Sequence, residues 1–250
     1  MKITFLGTAD VRPRSDANCS STMLEIGESI YLVDAGAPVN ELLLQRGKNP
    51  ECIKGIFITH GHSDHFEGLV PLLTRGFYVY GKASMDIVFP NEAQAQALRQ
   101  CCSAFHHGKP FPSDRLRFVI PAENEAAVMY DDGVLKATYI PVSPYEGTPH
   151  FAILIEAEGK AVLFTGDLSE GLKDNDFPKV AFERHLELIV CEYAHVLAEH
   201  LDPCIEKCLA EQICFNHYAG WRRDELSAVV SDPKYKIPLR AVRDGDELVL

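Results

Sequence analysis

The sequence predicts an α/β protein, and three observations carry that prediction. Short apolar or alternating runs of strand length recur along the 250 residues, interleaved with stretches of helical periodicity. Turn signals such as Asp131-Asp132-Gly133 and Glu158-Gly159-Lys160 fall between neighbouring runs. Four apolar runs end in Asp or His: Asp34 after Ile30-Tyr31-Leu32-Val33, His60 after Ile56-Phe57-Ile58-Thr59, Asp167 after Leu163-Phe164-Thr165-Gly166, and His217 after Cys214-Phe215-Asn216. Strand ends that carry such residues are expected to converge on one rim of the fold.

In chain order, strands are expected near residues 2–6, 21–26, 29–34 and 55–59, with helices at 39–46, 67–75 and 92–104, the last rich in Ala and Gln. Strands resume at 116–120, 125–130, 134–140, 151–157 and 161–165. A strand follows at 186–191, then a helix opened by Asp202-Pro203, a cap residue with Pro at the first helical position. A strand leads into His217, a helix covers 224–230, and a C-terminal hairpin is expected to turn at Asp244-Gly245-Asp246. Length alone allows one large domain or two small ones. No repeat, linker or low-complexity segment interrupts the pattern, so a single domain over 1–250 is expected.

Composition narrows the function classes. No apolar run approaches a membrane span, although 46% of the residues are apolar. The start, Met1-Lys2-Ile3-Thr4-Phe5-Leu6-Gly7, runs straight into a strand and shows no signal-peptide core. Eight cysteines, among them Cys101-Cys102, Cys204 and Cys208, follow no zinc-ribbon spacing, and reduced thiols in the cytoplasm are the expectation. The net charge is −12, with 24 Lys and Arg against 36 acids, and no basic run exceeds Trp221-Arg222-Arg223. Binding of long nucleic acid is driven by phosphate neutralisation, so such a partner is disfavoured. A small substrate needs no basic face.

The run Thr59-His60-Gly61-His62-Ser63-Asp64-His65 is the densest chemical signal in the chain. Four metal-competent side chains (His60, His62, Asp64, His65) lie within six positions where a strand gives way to a turn. Imidazoles with a carboxylate suit Zn²⁺ and its borderline neighbours better than Ca²⁺ or Mg²⁺.

With Asp34-Ala35-Gly36, His60-x-His62-x-Asp64-His65, Gly166-Asp167 and the late His217, the chain resembles the metallo-β-lactamase-fold hydrolases over almost its whole length. Ile3-Thr4-Phe5-Leu6-Gly7-Thr8 is similar to the start of their ribonuclease Z and phosphodiesterase branch. The resemblance implies a four-layer αββα sandwich of two mixed β-sheets. It also implies two divalent transition-metal ions, Zn with Mn or Fe as alternatives. His60 and His62 would hold the first, Asp64, His65 and His217 the second, and Asp167 would bridge them. Asp34 would support the His-rich loop by hydrogen bonds.

The chain departs from the family pattern at one ligand. The family places a further His on the loop before the strand near Phe151, often after Pro-Val-x, but here Pro141-Val142-Ser143 is followed by Pro144. His150 is the one histidine between residues 108 and 184, and it is assigned to the first metal through the turn Glu146-Gly147-Thr148-Pro149. The branch also carries a Glu and a His as a proton-transfer pair beside the metals. Glu192 and His200 match by position, and His195 competes with His200. No counterpart of the long tRNA-clamping arm is found. Arg222 and Arg223 follow His217 and are candidates for holding a phosphate oxygen.

The reading is a phosphodiesterase for a small nucleotide, cyclic nucleotide or similar diester, attacked by a metal-bridging hydroxide. Asp64 or His200 would protonate the leaving alkoxide. A lactone, thioester or β-lactam hydrolase with the same centre is the alternative, followed by a weakly active metal-binding or sensing protein. A homodimer is compatible with the sequence.

Overall fold

Three strands, β1 (Lys2–Gly7), β2 (Ser21–Ile26) and β3 (Ser29–Val33), form an antiparallel meander. The computed structural model describes residues 1–12, 14–81, 83–145, 147–173 and 176–250. β4 (Ile53–Phe57), β5 (Met85–Val88) and β6 (Leu116–Val119) continue the sheet in parallel beside β3. The second sheet repeats this plan. β7 (Ala127–Asp131), β8 (Lys136–Tyr145), β9 (Thr148–Ala157) and β10 (Lys160–Phe164) are antiparallel. β11 (Leu188–Glu192), β12 (Ile213–Asn216) and β13 (Leu239–Ala241) then add in parallel. The last strand, β14 (Glu247–Val249), crosses back to pair with β1, completing two mixed seven-stranded sheets.

Side-chain alternation explains the layering. Along β3, Tyr31 and Val33 enter a core shared with β9 residues Phe151, Ile153 and Ile155, while Ile30 and Leu32 face the opposite way. Each sheet is therefore apolar on both faces, and each outer face needs a cover. Helices α1 (Val39–Gln45), α2 (Ser63–Phe66), α3 (Leu69–Thr74) and α4 (Glu92–Phe105) lie between strands of the first sheet. Leu43, Leu72 and Leu98 from α1, α3 and α4 bury against its outer side chains. The second sheet has α5 (Val180–Glu183), α6 (Ala198–Ile205) and α7 (Arg223–Val230), whose Ala181, Leu201 and Leu226 do the same. The outcome is the expected αββα sandwich.

Several local expectations are corrected. β5 and α5 were not expected; each is only four residues long. The helix expected at 67–75 is two pieces with Glu67 and Gly68 between them, and it starts early, so Asp64 and His65 are helical residues of α2. Pro203 lies inside α6, which begins at Ala198, so Asp202 is not its cap. The C-terminal turn joins strands of different sheets, β13 and β14, and is no hairpin. Glu146, part of the turn invoked for His150, lies outside the described residues. No helix among the described residues is long and apolar enough to cross a membrane. None of the eight cysteines is in a disulfide.

Candidate metal centre

Three abrupt strand ends build the centre. Within two residues of their ends, β3, β10 and β12 each lead into a residue in the left-handed region: Asp34 (φ 57°), Gly166 (φ 60°) and His217 (φ 47°). Non-glycine residues adopt this conformation at a cost of roughly 1–3 kcal/mol, sustained only where surroundings enforce it. At Gly166 glycine is required twice over, because a Cβ there would also lie 2.5 Å from the Phe151 carbonyl oxygen. The turns swing Asp167 and His217 in from the second sheet, while β4 delivers the His-rich run from the first.

His150 enters by backbone pairing. β9 begins at Thr148, so His150 is a strand residue and not a loop residue. The β8–β9 ladder is irregular between Val142 and Tyr145, which absorbs the extra residues after Pro141-Val142. His150 forms an antiparallel bridge with His60, and the Phe151 N–H donates to the Thr59 carbonyl at 3.0 Å. The two imidazoles lie with ring centroids 4.2 Å apart.

Two groups of ligand-type atoms share no residue, and two further ones link them through Asp167, with His60 and His65 and with His195 and His217. In one, His60, His62 and His150 present ring nitrogens within 4.8 Å of one another, with His60 Nε2 3.0 Å from His62 Nδ1. In the other, Asp64, His65 and His217 converge in the same way. Asp167 stands between them. Its Oδ2 is 3.5 Å from His60 Nε2, and its Oδ1 is 3.5 Å from His65 Nε2 and 3.4 Å from His217 Nε2. Asp64 Oδ2 closes the second group at 3.7 Å from His65 Nε2 and 3.9 Å from His217 Nε2. Tetrahedral ligands about 2.0–2.1 Å from a zinc ion stand about 3.4 Å apart, so these separations fit a cation at the middle. Asp167 Oδ1 and His65 Nε2 are moreover buried with no hydrogen-bond partner, an arrangement that costs stability unless a cation satisfies both. The residues fit the metal ions that the donor set implies.

Charge and support agree. Asp34 Oδ2 accepts from His65 Nδ1 at 2.8 Å, which turns Nε2 toward Asp64 and Asp167. Its Oδ1 accepts from the Thr59 N–H (2.8 Å) and Oγ1–H (3.0 Å), and Thr59 Oγ1 also lies 3.1 Å from His60 Nδ1. Thr59 was missed in the sequence; its hydroxyl acts only through folded neighbours. Burial holds His60 well below the usual imidazole range and His150 down at about 4, so both are neutral and ready to ligate. At His65 and His217 burial is outweighed by carboxylates, Asp167 foremost. His65 is raised and His217 is pushed up to about 10. The four carboxylates near the second group, Asp34, Asp64, Asp167 and Glu192, thus call for positive charge at that point.

Around the centre the remaining candidates separate. Glu192 is buried at the end of β11; it accepts from the Leu168, Ala194 and His195 N–H groups and from His195 Nδ1 at 3.1 Å. His195 Nδ1 is also 3.7 Å from Asp167 Oδ2. His200, by contrast, accepts from the Leu197 N–H at the start of α6 and lines a different cavity with Cys204 and Lys207. The pairing of Glu192 with His200 is corrected to Glu192 with His195. The residues Leu197–His200 form a helical first turn that turns His200 back on its own helix.

Arg222 is not available for a phosphate, and Arg223 does not line the cleft over the centre. Arg222 is 2% exposed and donates to the carbonyls of Tyr193 (2.9 Å), Ala194 (3.2 Å) and Val196 (2.7 Å) and to Glu225. It ties the His195 loop to α7. Arg223 pairs with Asp16. The cation at the mouth is Arg12, whose sequence surroundings carried no motif. It lines a cleft of about 380 Å³ with Asp10, His62, Asp64, His195 and Trp221.

Two predictions follow from this geometry. His150→Ala should leave the second group intact, so metal content should fall without being lost altogether; unchanged content would remove His150 from the set. Gly36→Ala should loosen the same region from outside. A Cβ there would sit 2.2 Å from the Asp64 carbonyl oxygen and 2.6 Å from Cys19 Cβ, backbone and side chain that cannot both move aside. About 1–3 kcal/mol of stability should be lost, read as a lower Tm with weaker metal retention.

Comparison with known proteins agrees with the architecture. The family model of the metallo-beta-lactamase superfamily matches residues 14–189. Ribonuclease Z of Pyrococcus furiosus is 38% identical over 73 residues, which cover 29% of this chain and 24% of that protein. Ribonuclease Z of Synechocystis is 31% identical over 136 residues, covering 53% and 39%. The aligned parts therefore span well under half of these relatives. Among solved structures, human tRNase Z, short form, superposes with a TM-score of 0.72 at 18% identity, over 100% of this chain and 99% of that one. The metallo-beta-lactamase fold protein YhfI of Bacillus subtilis gives 0.77 at 16% over 99% of both, and a diphosphatase of the PhnP family gives 0.67 at 20% over 100% and 97%. At these identities the structures establish a shared fold.

Proposed function

The chain belongs to the metallo-beta-lactamase superfamily, and from that premise we propose that it is a metal-dependent phosphodiesterase acting on a small nucleotide, cyclic nucleotide or similar diester. The observation that carries the reading is Asp167, whose two oxygens are divided between the His60 side and the His65–His217 side. His60, His62 and His150 would hold one divalent ion, Asp64, His65 and His217 the other, with Asp167 shared. When bound, the ions supply a hydroxide near neutral pH and polarise the oxygen under attack. The site draws on both sheets, so the 250 residues are taken to work as one unit.

The chain's own groups supply the rest. Attack on phosphorus expels an alkoxide, which needs a proton. His195, hydrogen-bonded to Glu192 and within 3.7 Å of Asp167, is placed to give it. Such a dyad serves any substrate whose leaving group departs as a strongly basic anion, an alkyl phosphodiester among them. Arg12 offers a guanidinium for a non-bridging oxygen. The net charge of −12 supports a small substrate over a long RNA, although relatives carry the name ribonuclease Z.

A substrate panel tests the reading. Bis-p-nitrophenyl phosphate, a 2′,3′-cyclic nucleotide, a precursor tRNA, nitrocefin, a lactone and a thioester would be assayed with and without chelator. Turnover of the two small diesters, lost to chelator and restored by Zn²⁺ or Mn²⁺, is expected. Turnover confined to the lactone or thioester would move the assignment to carbonyl chemistry, and turnover confined to the precursor tRNA would overturn the small-substrate reading.

A further inference from the structure

Trp221 is the chain's single tryptophan and is 72% exposed, on a short helical turn four residues beyond His217. It packs no core. It lies at the rim of the cleft that opens onto Asp64, Asp167 and His195, beside Arg12. Large aromatic side chains left exposed at the mouth of a polar site are commonly contact surfaces for a planar ligand.

The turn that carries it is held rigidly. The buried guanidinium of Arg222, the next residue, binds three carbonyls of the 193–196 segment and stacks 4.2 Å over the Tyr193 ring. One side chain thus fixes the spacing between Trp221 and the His195 loop. The other wall is fixed too, because Ala9 bridges to Tyr218 and the Tyr218 N–H donates to the Thr8 carbonyl at 3.2 Å. Asp10, 5% exposed, accepts from the Arg12 N–H at 3.2 Å and lies 3.5 Å from its guanidinium, which stays largely in solvent. Arg12 is the one Lys or Arg among the described residues lining this cleft. An indole on a fixed turn loses little conformational freedom when a ring stacks on it.

We propose that Trp221 is a specificity-determining residue that stacks the nucleobase of a nucleoside phosphodiester while Arg12 holds its phosphate at the mouth of the metal centre. The inference rests on the phosphodiesterase reading and narrows the substrate to a diester that carries a base. Stacking of a base on an aromatic side chain is sequence-tolerant, so discrimination among the four bases is not expected from Trp221 alone.

The lone tryptophan makes the test direct, since intrinsic indole fluorescence reports this one position. Purified metal-containing protein would be titrated with thymidine 5′-monophosphate and, separately, with ribose 5-phosphate and inorganic phosphate. The nucleotide should quench the emission and bind more tightly than the other two. In competition binding, Trp221→Ala should weaken the nucleotide by about 5- to 150-fold and leave inorganic phosphate unchanged, with Trp221→Phe keeping most of the affinity. In turnover, thymidine 5′-(p-nitrophenyl phosphate) should exceed methyl p-nitrophenyl phosphate in kcat/KM, and Trp221→Ala should collapse that ratio through KM. Equal response to the nucleotide and ribose 5-phosphate, or a Trp221→Ala ratio matching wild type, would overturn the proposal. Absence of diester turnover alongside selective quenching would instead refute the phosphodiesterase reading and leave the base site standing.

Discussion

Asp167→Ala is expected to strip metal from both groups and to lower diester turnover by about a thousandfold or more. That loss corresponds to roughly 4 kcal/mol of transition-state stabilisation. The expectation follows from position. Asp167 is 4% exposed and, among the described residues, is the one carboxylate whose oxygens approach histidines of both groups. His217 and His65 overcome its burial and hold it well below the usual carboxylate range, so it is ionised. Asp167→Asn keeps the shape and removes the charge. It should retain some metal at the His60, His62 and His150 group and still lose most activity. Elemental analysis of both variants beside kcat checks this; two ions per chain and wild-type kcat in Asp167→Ala would remove it from the shared position.

His195→Ala should cost about 10²- to 10⁴-fold on an alkyl diester and little on a p-nitrophenyl ester, whose leaving group departs unaided. Metal content should not change. The hydrogen bond to Glu192 pushes His195 up to about 9, so the ring is protonated at pH 7 and able to donate. Because the acid form is the active one, the alkyl-diester rate should hold at neutral pH and fall as pH rises through about 9. That descending limb should be absent in His195→Ala. Glu192→Gln should move it to lower pH, since the carboxylate that favours the imidazolium is gone. Equal losses on both ester types would take His195 out of proton transfer.

The parts legible in the sequence share a cause: they are written locally. Strand ends declare themselves by apolar runs that stop at Asp34, His60, Asp167 and His217, and the His-x-His-x-Asp-His spacing needs no tertiary knowledge. What was misread depends on long-range partners. β5 is four residues with Asp86 in the middle, and it reads as polar until Asp86 is seen hydrogen-bonded to Arg117 on β6. The β13 and β14 segments look like a hairpin, yet each finds a better neighbour in another sheet. Arg222 looked like a phosphate hand because three carbonyls at 193, 194 and 196 that need a donor are invisible in a string of letters. His195 lost to His200 in the sequence because likeness to relatives placed the residue before the helix, and here the helix begins earlier than expected. His150 was reached by elimination, and its delivery by pairing with His60 could be seen only in the fold.

The most direct test of the central claim, two ligand groups joined by one carboxylate, is anomalous X-ray diffraction from crystals of the purified protein, collected on either side of the bound metal's absorption edge. Two peaks are predicted, one about 2.0–2.1 Å from nitrogens of His60, His62 and His150, the other equally close to His65 and His217 with Asp64, and an Asp167 oxygen beside each. A single peak, or peaks that leave Asp167 without a metal, would contradict it.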